Sequence, residues 1–92
     1  MAIAQIGPPS VAVTVPIYFF HVRGGSADLD ADEGLEFPDE VIARAAALTG
    51  ARSLIAADVM DGILNLSPRI EVADERGAVL FSVPFISAVV ET

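Results

Sequence analysis

From Ile17 to Arg23 the side chains alternate in the period of a strand, with Tyr18, Phe20 and Val22 on one face and Ile17, Phe19 and His21 on the other. Both rows are apolar or aromatic, the pattern of a central strand covered on both sides. Gly24, Gly25 and Ser26 end it. The acidic stretch Asp28 to Glu33 then leads through Gly34 into a short second strand at Leu35 to Phe37, closing a loose hairpin.

Pro38 and Asp39 carry the signal for a helix start. Asp39 is a capping residue, Glu40 suits the positive end of the helix dipole, and an alanine-rich run follows. The pattern predicts helix from Asp39 to Met60, stopped near Gly62. On a helical wheel Val41, Ala45, Leu48, Ile55 and Val59 share a narrow arc flanked by Ala51, Ala56 and Ile63, which predicts the core face; Gly50 falls almost opposite.

Beyond Asn65, Ser67 and Pro68, an apolar run Arg69 to Ala73, a polar turn Asp74 to Gly77 and a second apolar run Ala78 to Val83 make the strongest hairpin signal in the chain. Pairing Val72 with Val79 and Ile70 with Phe81 gives a clean apolar face and is the expected register. A three-residue loop with a glycine bulge would shift the pairing by one and turn Ser82 inward. Pro84 has no N–H to donate, so the fourth strand either ends at Val83 or lies on an edge. That disfavours a ubiquitin-like order, in which strand four is central. Placing strand three beside strand one gives an α+β fold, ββαββ, with a four-stranded antiparallel sheet in the order 2-1-3-4 and one helix packed on one face.

The chain of 92 residues has room for one core, and its hydrophobic fraction of 53% is enough to offset the entropy of ordering. Residues 1 to 14 hold Gly7, Pro8, Pro9 and Ser10 and no charged side chain, so they read as a weakly ordered leader with room for a short strand at Val11 to Val15. The single ββαββ domain is expected over residues 15–92. One helix covers one face of such a sheet, which leaves the row Ile17, Phe19 and His21 as the expected interface of a homodimer.

The net charge of −8, with the five basic residues scattered and all arginine, argues against nucleic acid as a partner. No apolar run is long enough to span a bilayer, and the start lacks the basic region of a signal peptide, so no membrane partner and a cytoplasmic location are expected. The absence of cysteine excludes disulfides, thiolate nucleophiles and Cys-ligated zinc, and is compatible with a reducing compartment.

Pro16-Ile-Tyr-Phe-Phe-His-Val-Arg23, Asp32-Glu-Gly-Leu-Glu-Phe-Pro-Asp39, Ala43-Arg44, Ile70-Glu-Val-Ala-Asp-Glu-Arg-Gly77 and Val83-Pro-Phe85 together resemble a family of small bacterial proteins catalogued as a domain of unknown function. The resemblance runs from Val15 to Phe85 and implies domain limits, with no functional residue to carry over. Similar proteins begin Met-Pro just before the aromatic strand, where this chain has Val15-Pro16. Residues 1 to 14 therefore read either as an artefact of start-site choice or as a genuine extension.

Candidate chemistry is sparse. Asp28, Asp30 and Asp32 have the spacing that opens a calcium loop, but the glycine due at the sixth position is one late, at Gly34, and the twelfth position is Asp39. A solvated acidic turn is the preferred reading, and no metal or cofactor is expected. His21 is the sole histidine and reads as a packed ring rather than a general base. The serines and threonines lack an activating motif, and Gly24-Gly25 lacks phosphate-loop spacing. Arg44 and Arg52 lie two turns apart along one side of the helix. They suggest either an anion site or, as the preferred reading, stems that cover the core while the guanidinium groups reach carboxylates between Asp28 and Glu36.

The leading functional expectation is therefore a non-enzymatic, self-associating interaction module with an unidentified protein partner. The alternatives are a small-molecule or cation-binding domain at the acidic loop, and an antitoxin-like protein that covers a basic toxin.

Overall fold

The computed structural model describes residues 15–25 and 28–90. The reading of residues 1 to 14 as a leader, and of a strand starting at Val11, lies outside them.

Strand β1 is Ile17–Arg23, β2 is Leu35–Glu36, helix α1 is Glu40–Met60, β3 is Arg69–Ala73, β4 is Val79–Pro84, and a short helix α2 follows at Phe85–Val89. The strands form one sheet in the order β2-β1-β3-β4 with antiparallel neighbours, as the sequence predicts. β1 is shared along its length: Ile17 and Tyr18 pair with β2, and Phe19 to Arg23 pair with β3. Pro84 ends β4, which is an edge strand, so its missing N–H breaks no ladder.

Phe20 faces Val72 and Val22 faces Ile70 across β1 and β3; Val72 and Ile70 in turn face Phe81 and Val83 on β4. This row, with Tyr18, packs against α1 and forms the core. Aromatic rings supply much of its bulk. Phe37, just past β2, stacks on Phe20 with centroids 5.8 Å apart and tilts against Tyr18 at 6.1 Å.

Asp39 caps α1, its side chain accepting from the Ile42 N–H at 3.0 Å. At the other end the Gly62 N–H donates to the Val59 carbonyl and the Ile63 N–H to the Asp58 carbonyl, the paired bonds of a Schellman stop.

The face of α1 that meets the sheet differs from the expected arc. The buried residues are Ala43, Ala47, Ala51 and Ile55, whereas Val41 is 75% exposed and Val59 51%. Ile55 and Ala51 of the expected arc are buried and Leu48 packs against the core, but the buried face is turned from the arc's centre toward Ala43 and Ala47. The sheet already fills much of the interlayer space with rings, so the helix approaches largely through alanines, and Val41 and Val59 are turned outward.

The second hairpin also departs from expectation. Ile70 pairs with Val83 and Val72 with Phe81, two residues from the predicted register. Two irregularities add up. The Asp74 to Gly77 turn places Gly77 in the left-handed region at φ 86°, and Asp74 accepts from the Arg76 and Ala78 N–H groups, so Ala73 meets Val79. A bulge then inserts Leu80 opposite the step between Val72 and Ala73. A shift of two restores the strand period, so Phe81 and Val83 stay on the core side and Ser82 faces Glu71 on the other.

α2 had no counterpart in the sequence reading. Phe85 is 2% exposed, belongs to the core, and donates its N–H to the Pro68 carbonyl at 2.9 Å.

Candidate functional site

Two features stand apart from the core: a charged cluster on the sheet face away from α1, and the outer face of α1 itself.

The cluster is built on β1 and β3. By strand alternation Ile17, Phe19, His21 and Arg23 point away from α1, and the register sets Ala73 beside Phe19, Glu71 beside His21 and Arg69 beside Arg23. The sequence reading left this row open to a partner. In the structure residues 28–34, between β1 and β2, lie against it, and Ile17, Phe19 and His21 are each only partly exposed.

Four contacts hold that acidic strap. Val22 and Leu29 exchange backbone hydrogen bonds at 2.7 and 2.9 Å. The Gly24 N–H donates to Asp28 Oδ1 at 3.2 Å, Arg23 Nη2 donates to Asp30 Oδ1 at 2.6 Å, and the Ala31 N–H donates to His21 Nδ1 at 3.1 Å. Near its end Gly34 sits against the Ile17 side chain and the Phe19 ring. A β-carbon there would overlap Ile17 Cγ2 and touch Phe19 Cζ at 3.0 Å. Gly34→Ala is accordingly expected to cost about 1–3 kcal/mol, as overpacking does, and to lift the strap from Phe19. A urea midpoint equal to that of the unsubstituted chain would contradict this placement.

Glu71 lies between two arginines, 2.9 Å from Arg69 Nη2 and 3.7 Å from Arg23 Nε. Hydrogen bonding from Arg23 and then its positive charge hold the Asp30 carboxyl below its usual value, and the same hydrogen bond raises Arg23. A carboxyl lowered in the folded state stabilises fully above its unfolded value, near 3.9, and the contribution is lost as pH falls through the lower folded value. Acid unfolding below about pH 4 is expected to draw on this pair. In Arg23→Gln the fall of melting temperature through that range should be shallower, read by circular dichroism from pH 6 to 2; identical profiles would show the pair contributes nothing.

Asp28 and Asp30 are thus engaged by the strap's own anchors. Among the described residues no group of three or more histidine or acidic side chains is placed to hold a metal ion. Nor do Arg44 and Arg52 form one anion site or reach the Asp28 to Glu36 carboxylates. Arg44 lies over the Phe81 ring, 5.1 Å from its centroid, and Arg52 Nε donates to the Ala88 carbonyl at 2.6 Å, tying α1 to α2. The ring and the carbonyl were not foreseeable before the helix orientation and α2 were known.

An open cleft of about 470 Å³ is lined by Pro16, Ile17, Tyr18, Leu80 and the Asp74 to Arg76 turn. The Tyr18 hydroxyl is raised above its ordinary value, first by burial and then by Glu40 and Asp39.

The outer face of α1 is the larger feature, and the sequence reading missed it because it assigned part of that surface to the core. With Ala43, Ala47 and Ala51 inward, the row opposite them is Ile42, Ala45, Thr49, Ser53, Ala56 and Met60, all exposed and none charged. Val41 and Val59 border it, and Ile63 and Leu64 continue its apolar character past the helix end, at 52% and 71% exposure. Among the described residues no helix is long and apolar enough to cross a membrane.

The family model of a domain of unknown function, DUF6894, matches residues 17–86, from the first residue of β1 into α2. No curated protein and no solved structure matches the chain. The chain belongs to that family.

Proposed function

We propose that this member of the DUF6894 family is a non-catalytic interaction module that self-associates through the outer face of α1. The observation that supports this reading is a helix of 21 residues whose solvent-side row carries no ionised side chain. Charge would normally mark the wet side, and here Glu40, Arg44 and Asp58 lie toward the sheet side of the wheel, while Arg52, at the edge of the row beside Ala45, is tied to the Ala88 carbonyl of α2.

A second copy suits this face better than an arbitrary partner, because the row is nearly symmetric about its midpoint. Set antiparallel across a two-fold axis, Ile42 meets Met60 at each end while Thr49 meets Ser53 in the middle. Bulky ends and a small centre let two helices approach closely. From Ile42 to Met60 the row is about 27 Å long and about 10 Å wide, well short of the ~800 Å² per partner of a standard interface, so a dimer of micromolar strength is expected. Each copy carries a net charge of −8, so association works against repulsion and should tighten with added salt.

Association on one face of the helix leaves the strap face available to a different protein partner. A cysteine-free chain suits the bacterial cytoplasm as the setting. Sedimentation equilibrium across ~1 to ~200 µM tests the reading: mass should climb from the 9.6 kDa of one chain toward twice that value. A single-chain mass throughout would remove it.

A further inference from the structure

We infer that His21 is an acid-operated latch for the acidic strap, exchanging one strap partner for another when its ring is protonated. The Ala31 N–H donates to His21 Nδ1 at 3.1 Å, so in this arrangement Nδ1 is unprotonated and the ring's single proton sits on Nε2. The nearest carboxylate oxygen, Asp30 Oδ1, lies 3.6 Å from the same nitrogen. One ring atom therefore faces both a backbone donor and an acceptor from adjacent strap residues. Its protonation state selects between them.

When Nδ1 takes a proton from solvent it becomes a donor and can no longer accept from Ala31. The new Nδ1–H turns to Asp30, and the Ala31 N–H is left without its acceptor. The other charged groups around the ring are Arg23 on the same strand, which already donates to Asp30 at 2.6 Å, and Glu71 opposite on β3, which is held by Arg69 at 2.9 Å. Asp28, Asp32 and Glu33 of the strap are exposed. The exchange replaces a backbone tether with a side-chain one. Its structural effect is local: the strap stays fastened at Leu29 and Asp30 on one side and at Leu35, which pairs with Tyr18, on the other, while the stretch from Ala31 to Gly34 between them loosens over Phe19.

The consequence concerns access. Phe19 and Ile17 lie under Gly34, so releasing that stretch uncovers the apolar row on the sheet face. The latch is separate from the α1 face and operates in monomer and dimer alike.

The test is nuclear magnetic resonance of the full chain as a function of pH. While the ring is neutral its nitrogens should report Nδ1 unprotonated and Nε2 protonated. Through the titration followed by the His21 ring itself, hydrogen-exchange protection of the Ala31 amide should fall by roughly tenfold after correction for intrinsic exchange, and contacts between Gly34 and the Phe19 ring should weaken. In His21→Asn, which keeps an oxygen acceptor near the Nδ1 position and does not titrate, Ala31 protection should be flat over the same range. A neutral ring protonated on Nδ1 would overturn the inference, as would constant Ala31 protection in the unsubstituted chain. The same pH dependence in His21→Asn would assign the effect to the carboxylates instead. Should His21→Asn not fold, the tautomer and the Ala31 protection of the unsubstituted chain still decide.

Discussion

Phe85→Ala is expected to remove about 3–5 kcal/mol of stability, enough to leave much of the protein unfolded at physiological temperature. Phe85 is 2% exposed, and among the described residues the largest fully buried side chains are only valines, Val72 and Val83. Its ring belongs to the same core as Tyr18 and the buried alanines of α1. Truncation would leave a cavity between α2, α1 and the sheet, which the buried alanines of α1 are too short to fill. The loss should also loosen Arg52, which donates to the Ala88 carbonyl one turn further along α2. Urea unfolding measures this directly. A change below about 1 kcal/mol would mean that α2 rests on the domain without being part of its core.

Such a residue was difficult to weigh from sequence. α2 is five residues long and begins directly after Pro84, so it offers neither a periodic stripe nor a side-chain cap to recognise. The strands announced themselves more clearly. β1 carries two apolar rows, and only a central strand has use for both; Pro84, lacking a donor, requires β4 either to end there or to lie on an edge. Together with the two hairpins these local facts favour the order 2-1-3-4, which the structure has.

The helix shows where residue-by-residue hydrophobicity stops being informative. Val41 and Val59 score as core residues on any wheel, yet the structure exposes them and buries Ala43, Ala47 and Ala51 at 0%. The deciding quantity is the space left by Tyr18, Phe20, Phe37 and Phe81, which belongs to the sheet and not to the helix. The hairpin makes the same point. Its turn was readable from Asp74 to Gly77, but the Leu80 bulge depends on which face needs Val83, a demand set by α1.

For the candidate sites the division is similar. The row Ile17, Phe19 and His21 was visible in the alternation of β1, but the strap across it was not. Its anchors join His21 to Ala31 and Ile17 to Gly34, contacts between residues ten or more apart in a stretch with no regular structure. Gly34 reads as a turn glycine in sequence and acts as a close-approach glycine in space.

Self-association is the second large effect, and it follows from the same rotation of α1. Had Val41, Ala45 and Val59 met the sheet, the outer side would have held Ala47 and Gly50 with little to bury. As folded, an uncharged row faces water along the whole helix, and a glutamate placed at Thr49 must be buried against Ser53 of the second copy, with its own equivalent close by across the two-fold axis. Two like charges brought together with loss of hydration cost several kcal/mol, so Thr49→Glu should weaken a micromolar dimer by more than roughly 100-fold. The fold itself should be untouched, since Thr49 is exposed and glutamate is a good helix former.

The most direct measurement is therefore light scattering with size exclusion at about 100 µM on the unsubstituted chain and Thr49→Glu side by side, with circular dichroism to confirm that both are folded. The account predicts a dimer for the first, strengthened by salt, and a monomer of 9.6 kDa for the second. A folded Thr49→Glu that elutes with the same dimeric mass as the unsubstituted chain would place the contact elsewhere, and a monomeric unsubstituted chain would contradict self-association altogether.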